Sequence, residues 1–182
     1  MSAGSVVLIG GGARSGKSRF ALARASALGE RRVFVATGQA FDGEMERRIA
    51  LHREERGDTF TTIEEPLDLA RVLREPPAAD VVLVDCLTLW LSNLLVRGDD
   101  EQAIARAVAD LCAVLAARRR HVVVVTNEVG LGIVPDNALA RTFRDVAGRA
   151  HQEIAAIADE VHVAILGSVL RLRPAPVEMV AP

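Results

Sequence analysis

The feature that most constrains the fold of this chain is a glycine-rich turn close to its N-terminus. Residues 11–18 read GGARSGKS and satisfy the pattern G-x-x-x-x-G-K-[ST] of a phosphate-binding loop, or P-loop. The apolar run VVLI precedes this segment and residues with helical spacing follow it, which is the context that confirms the pattern. Because backbone N–H groups at a helix N-terminus carry partial positive charge, such a turn binds phosphate groups. The sequence therefore predicts a nucleotide-binding site between a first strand and a first helix.

Two side chains of this loop are predicted to act on bound phosphates. Lys17 is expected to reach the β and γ phosphates, and the Ser18 hydroxyl is expected to hold Mg²⁺. Lys17 is also the only lysine among the 182 residues, and a slim ammonium fits among phosphates where a guanidinium does not. The predicted nucleotide contacts in the loop are Gly11, Gly12, Ala13, Arg14, Ser15, Gly16, Lys17 and Ser18.

Strand-like and helix-like segments alternate along the chain. Apolar, β-branched runs predict strands at residues 6–9, 33–36, 81–84, 122–125 and 161–166. Helical spacing predicts helices at residues 17–28, 42–56, 66–74, 100–118 and 136–160, with N-caps at Asp42, Asp100 and Asp136. This alternation predicts an α/β fold, a mainly parallel sheet with helices on both faces and a ligand site at the carboxyl ends of the strands. Residues 1–182 are expected to form one domain, with residues 171–182 loosely attached.

Composition argues against several classes of protein. The formal net charge is −2 and aromatic residues make up 3%, which disfavours a nucleic-acid-binding protein. The longest apolar stretch, residues 81–96, is interrupted by polar residues, so no membrane-spanning segment is expected. The N-terminus does not read as a signal peptide, and a cytoplasmic protein is predicted. Cys86 and Cys112 are expected to be buried free thiols.

Polar residues follow two further predicted strands. Asp85 ends the run VVLVD, which suits a carboxylate that coordinates Mg²⁺, although a helix N-cap is the alternative. Thr126, Asn127 and Glu128 follow the next strand along the chain, where they could face the nucleotide or form an ordinary loop. This segment lacks the N-K-x-D pattern that a signalling GTPase needs to recognise guanine, so a switch protein is not expected.

A histidine lies within the predicted helix DGEMERRIALHREER at residues 42–56. Arg48 and Arg56 stand one helical turn on either side of His52, where they attract phosphate and disfavour protonation of the imidazole. A neutral imidazole that faces a polyphosphate is a candidate nucleophile, acid or base. The other histidines, His121, His151 and His162, are expected to be ordinary surface or core-edge residues.

These segments resemble the bifunctional adenosylcobinamide kinase and adenosylcobinamide-phosphate guanylyltransferase family of cobalamin biosynthesis. The resemblance rests on GGARSGKSR at residues 11–19, VATGQAFDGEMERRIALHREER at 35–56, VDCLTLWLSNLL at 84–95 and TNEVGLGIVPDNALARTFRDVAGRAHQ at 126–152. It implies a RecA-like P-loop fold, a homotrimer, and two reactions at one nucleotide-binding edge. In the first, ATP or GTP phosphorylates the aminopropanol hydroxyl of adenosylcobinamide. In the second, GMP passes from GTP through a guanylyl-histidine to give adenosylcobinamide-GDP and pyrophosphate.

The resemblance also implies roles for individual residues. His52 corresponds to the nucleophile of the family. The P-loop and the strand that ends in Asp85 already predict Lys17 as the second catalytic residue and Ser18 and Asp85 as Mg²⁺ ligands. Further nucleotide contacts are implied at Ala36, Thr37, Gly38, Arg53, Glu54, Glu55, Arg56, Glu64 and Asp85. Of these, residues 36–38 follow the second predicted strand, which independently places them at the ligand edge.

Two other interpretations remain open from the sequence. One is a P-loop kinase for a different small molecule, in which His52 takes no part and no GMP becomes attached to the protein. The other is a nucleotide-dependent regulatory module that acts through a partner and has no small-molecule acceptor.

Overall fold

A computed structural model describes residues 4–39, 43, 47 and 59–180 of the chain. In this part of the chain, one sheet contains eight strands in the order β3-β2-β4-β5-β1-β6-β7-β8. The six strands from β3 to β6 in this order are parallel, and β7 and β8 add antiparallel pairs at one edge. The strands are β1 (Val6–Gly11), β2 (Arg32–Ala36), β3 (Thr61–Glu64), β4 (Val81–Asp85), β5 (His121–Val125), β6 (Glu160–Ile165), β7 (Ser168–Arg173) and β8 (Glu178–Val180).

The described helices cover both faces of this sheet. They are α1 (Lys17–Leu28), α2 (Leu69–Arg74), α3 (Leu87–Arg97), α4 (Glu101–Ala116) and α5 (Ala138–Ile157). Helix α1 packs through Phe20, Ala21 and Ala25 against one face, whereas α2 to α5 build the larger apolar cluster on the other. The central strands are buried on both faces, which explains why their sequences are continuous apolar runs rather than alternating patterns. The predicted parallel α/β architecture is confirmed.

Helix boundaries follow the capping chemistry. Helix α1 spans the predicted residues, and the Asp100 carboxylate accepts a hydrogen bond from Ala103 N at 2.7 Å, as expected of the N-cap of α4. The prediction of Asp136 as an N-cap is wrong, because Asn137 Oδ1 accepts from Ala140 N at 2.8 Å, so the N-cap lies one residue later and α5 begins at Ala138. Of the predicted helix at residues 42–56, only Gly43 and Arg47 are described, and both are helical.

The C-terminal segment differs from the loosely attached end expected from Arg171 onward. Strands β7 and β8 extend the sheet by antiparallel pairing, and an ion pair of 2.6 Å joins Arg171 on β7 to Glu178 on β8. Val169 is 1% exposed and packs into the core beneath α1. Backbone pairing and this buried anchor hold the segment on the sheet despite its prolines.

A helix that crosses a bilayer needs about 20 consecutive, mostly apolar residues. None of the described helices is both long enough and apolar enough to do so.

Candidate active site

The predicted P-loop connects the end of β1 to the start of α1. Its turn requires left-handed backbone at Arg14 (φ 54°) and Gly16 (φ 94°). A Cβ atom at Gly11 would lie 2.5 Å from Ala164 O and 2.7 Å from Ser15 Oγ, so only glycine fits this tight approach. Ser15 Oγ is buried and makes no hydrogen bond within the described residues, which leaves a polar group unsatisfied inside the loop.

Lys17 is the first residue of α1 and its side chain folds back over the loop. It is only 8% exposed, and Nζ donates to Gly12 O at 3.0 Å. Burial lowers the pKa of the ammonium group, while the nearby Asp85 carboxylate and Cys86 thiol act in the opposite direction. The only lysine of the chain therefore lies inside the loop with a carboxylate close by. Ser18 follows as a half-buried residue in the first turn of α1.

Three predicted site residues lie side by side at the carboxyl edge of the sheet. In the parallel register Ala36 of β2 pairs with Glu64 of β3 on one side and with Asp85 of β4 on the other. Their side chains share the face that α1 covers, because Phe34 and Leu83, two residues earlier on β2 and β4, belong to the core beneath α1. Glu64, selected only through the family resemblance, thus lies in the same row as Asp85.

The position of Asp85 bears on its two interpretations, which are a Mg²⁺ ligand and a helix N-cap. It is the last residue of β4, and Cys86 occupies the N-cap position of α3. An N-cap role for Asp85 is therefore not supported. Its carboxylate and the Ser18 hydroxyl supply the hard oxygen atoms that Mg²⁺ prefers, so the chemistry of the available groups fits this ion.

The segment after β5 lies against the P-loop. Glu128 N donates to Gly11 O at 3.0 Å, which ties this segment to the end of β1. Asn127 Nδ2 donates to Thr88 Oγ1 at 3.0 Å, and the carboxylate of Glu128 accepts from Gly130 N at 2.5 Å. Both side chains are thus engaged in local hydrogen bonds, so the possibility of ordinary loop chemistry stays open for them.

The histidine prediction lies outside the described residues. This applies to His52 and to the contacts expected at Arg53, Glu54, Glu55 and Arg56. The remaining histidines have structural partners: His121 contacts Ser5 Oγ at 2.8 Å, His151 contacts Thr126 Oγ1 at 2.6 Å, and His162 contacts Glu160 at 2.9 Å.

The ends of β2, β3 and β4 are joined by a buried polar network, of which only Thr37 is expected at the site, through the family resemblance. The Thr37 hydroxyl bonds to both backbone polar groups of Cys86, each at 2.8 Å. Asn93 Nδ2 donates to Thr37 O at 2.8 Å and to Pro66 O at 3.1 Å. The signal that could have identified Asn93 is a lone amide within the apolar run LTLWLSNLL, since buried amides need partners.

Comparison with known sequences finds a matching protein family and similar relatives. The profile of the family described as "Cobinamide kinase / cobinamide phosphate guanyltransferase" matches residues 7–172. The bifunctional adenosylcobalamin biosynthesis protein CobP of Pseudomonas aeruginosa is 46% identical over 170 residues, covering 93% of this chain and 98% of the relative. The bifunctional adenosylcobalamin biosynthesis protein CobU of Escherichia coli is 40% identical over 181 residues, covering 92% and 99%.

Comparison with solved structures identifies the fold. One solved ATPase domain superimposes with a TM-score of 0.58 at 14% identity, covering 97% of this chain and 80% of that domain. The flagellar accessory protein FlaH from Methanocaldococcus jannaschii gives a TM-score of 0.52 at 13% identity, covering 99% and 79%. At such low identity these likenesses bear on the fold alone, which is that of the RecA-like P-loop ATPases.

Proposed function

Because this chain belongs to the cobinamide kinase / cobinamide phosphate guanyltransferase family, we propose that it catalyses both reactions within one domain spanning residues 1–182. First, ATP or GTP phosphorylates the aminopropanol hydroxyl of adenosylcobinamide. GMP is then transferred from GTP to that phosphate, giving adenosylcobinamide-GDP and pyrophosphate. The observation that carries the proposal is the arrangement of Lys17, Asp85, Ala36 and Glu64 at one edge of the sheet, beside a complete P-loop.

In the kinase reaction the acceptor oxygen attacks the γ-phosphorus of the nucleotide. The bond from this phosphorus to the β–γ bridging oxygen breaks, the nucleoside diphosphate leaves, and the hydroxyl proton is released. Backbone N–H groups of residues 11–18 bind the phosphates, and Lys17 exchanges its bond to Gly12 O for phosphate oxygens. Mg²⁺ held by Ser18 and Asp85 would neutralise phosphate charge in this site.

In the guanylyltransferase reaction we assign the nucleophile to His52. A ring nitrogen attacks the α-phosphorus of GTP, the bond to the β-phosphate oxygen breaks, and pyrophosphate leaves with GMP bound as a phosphoramidate. A phosphate oxygen of the first product then attacks the same phosphorus, the P–N bond breaks and His52 is regenerated. Arg53 and Arg56 are suited to neutralise the charge that develops on pyrophosphate. The family resemblance supports this assignment.

The resemblance also implies a homotrimer, and exposed apolar residues support association between copies of the chain. Leu131 is 89% and Ile133 97% exposed in the segment before α5, with Val134 and Leu139 close by in sequence and also exposed. Clustered apolar surface of this kind is typical of a protein interface.

The guanylyl-enzyme is the direct test of this function. Incubation with GTP labelled in the α-phosphate and with Mg²⁺ is expected to leave label on the protein that is stable in alkali and lost in acid, as a phosphoramidate requires. His52→Ala should abolish the label while nucleotide binding at the P-loop persists. His121→Asn is a matched control, because His121 begins β5 at the opposite edge of the sheet. Equal labelling of wild type and His52→Ala would falsify the nucleophile, and phosphoryl transfer without any label would indicate a kinase alone.

A further inference from the structure

Two buried side chains lie behind the row formed by Ala36, Glu64 and Asp85, and they do not face the nucleotide site. Thr37 directly follows Ala36 and is fully buried, and Asn93 in the second turn of α3 is 6% exposed. Thr37 continues the alternation of Val33 and Val35, whose side chains lie on the face opposite α1. The Thr37 and Asn93 side chains are thus separated from the P-loop face while remaining next to the residues that form the site.

Thr37 fixes the backbone from which Asp85 projects. Its hydroxyl donates to Cys86 O and accepts from Cys86 N, so both polar groups of the residue after Asp85 are held by one side chain. Thr37 N adds a bond to Asp85 O at 3.2 Å, which extends the pairing of β2 and β4 by one residue. Every backbone and side-chain polar group of Thr37 is therefore committed to neighbouring protein groups.

Asn93 extends the same connection to the strand that carries Glu64. Its amide nitrogen has two hydrogens, and they are directed to Thr37 O and to Pro66 O, two residues beyond Glu64. Glu65 N also donates to Ala36 O at 2.9 Å. One side chain of α3 thus joins the segment after β2 to the segment after β3.

We propose that Thr37 and Asn93 are positioning residues of the nucleotide site. Together they set the relative positions of the strand ends that carry Asp85 and Glu64, without contacting substrate through their own side chains. The family resemblance implies a nucleotide contact at Thr37, whereas in the structure its hydroxyl already donates to Cys86 O and accepts from Cys86 N. The inference rests on the proposed function, because it assigns to Asp85 a role in holding the metal–nucleotide.

The variants that test this inference remove hydrogen bonds while preserving shape. Thr37→Val leaves both polar groups of Cys86 without their partner, whereas Thr37→Ser retains the hydroxyl. Asn93→Leu removes both amide bonds at similar volume. Val108→Ala is the matched control for a general loss of stability, because Val108 is a buried residue of α4 that belongs to the apolar cluster and not to the network.

Two measurements separate positioning from a merely structural role. The first is the affinity of the enzyme, loaded with a non-hydrolysable GTP analogue, for Mn²⁺ observed by electron paramagnetic resonance. We expect Thr37→Val and Asn93→Leu to weaken Mn²⁺ binding about tenfold, because the free energy of one lost buried hydrogen bond is similar to that of a tenfold change in affinity. Thr37→Ser and Val108→Ala should bind Mn²⁺ like the wild type.

The second measurement is a double-mutant cycle between Thr37→Val and Asp85→Asn, read as kcat/KM of the kinase reaction. If Thr37 acts through Asp85, adding Thr37→Val to Asp85→Asn should cause little further loss. Fully additive losses, unchanged Mn²⁺ affinity in Thr37→Val, or wild-type kinetics of Asp85→Asn would each overturn the inference. A wild-type protein that performs neither transfer would instead refute the proposed function, so the two failures are distinguishable.

Discussion

Two properties of Lys17 allow its role to be tested by chemical modification. It is the only lysine of the chain, and burial lowers the pKa of its ammonium group, which increases the neutral and reactive fraction at a given pH. An amine-acylating reagent should therefore modify Lys17 together with the amino terminus. Nucleotide at about ten times its Kd should reduce the acylation of Lys17 about tenfold by mass action, because bound phosphates occupy the amine.

The amino terminus provides the internal control for this experiment. Its acylation, measured in the same peptide mass spectra, should not change when nucleotide is added. Acylated protein should also lose both transfer reactions in proportion to the modification of Lys17. Equal acylation of Lys17 with and without saturating nucleotide would show that the P-loop is not where the phosphates bind.

His151 should make stability depend on pH. Burial lowers the pKa of this imidazole below its ordinary value of 6.5, although the Glu128 carboxylate acts in the opposite direction. Because the unfolded chain takes up the proton first, the contribution of His151 to stability is complete above pH 6.5. It is lost as the pH falls from there towards the folded-state pKa, by about 1.4 kcal/mol for each unit between the two pKa values.

The measurement is the free energy of unfolding by urea at pH 7.5 and pH 5.5. Carboxylates also titrate in this interval, so the wild type is compared with His151→Gln, which can still bond to Thr126. The wild type should lose more stability on acidification than the variant. The same pH dependence in both proteins would contradict the assignment.

At the level of single elements, the structure and the sequence pattern assign different N-caps to α5. Spacing alone selects Asp136 as the N-cap, whereas Asn137 Oδ1 accepts the hydrogen bond that Ala140 N donates. Asn137→Ala should therefore destabilise the protein by about 1 kcal/mol, and Asp136→Ala by clearly less. Chemical denaturation of both variants decides between the two caps, and a larger loss in Asp136→Ala would contradict the observed helix start.

Elements with a strong local signal can be predicted from the sequence, and those that depend on neighbours cannot. Helix α1 follows from the P-loop pattern, and the buried parallel strands follow from their apolar runs. Strand β3 has only four residues, TTIE, mostly exposed, and it is a strand because β2 offers it an edge. Helix α3 is a short run that is apolar on most sides, for which periodicity does not separate a buried helix from a strand.

At the scale of the whole molecule, the site is assembled from segments far apart in sequence. Asp85 and the P-loop could be predicted because each carries a local pattern. The alignment of Glu64 with Ala36 and Asp85 could not, since strand order and register bring these residues together. The partners of Asn93 could not be predicted for the same reason, because they are backbone carbonyls 56 and 27 positions away.

A single copy of the chain exposes apolar side chains to water, which favours association between copies. If three copies associate, light scattering should give the mass of three chains at micromolar concentration. We expect the exposed apolar segment before α5 to lie in the contact, so Ile133→Asp should shift the mass towards one chain, because a buried unpaired carboxylate opposes association. Val96→Asp places the same charge on another exposed position, at 67% exposure on α3, and should leave the mass unchanged. A wild-type mass of one chain would refute the trimer, and an unaltered mass in Ile133→Asp would place the contact elsewhere.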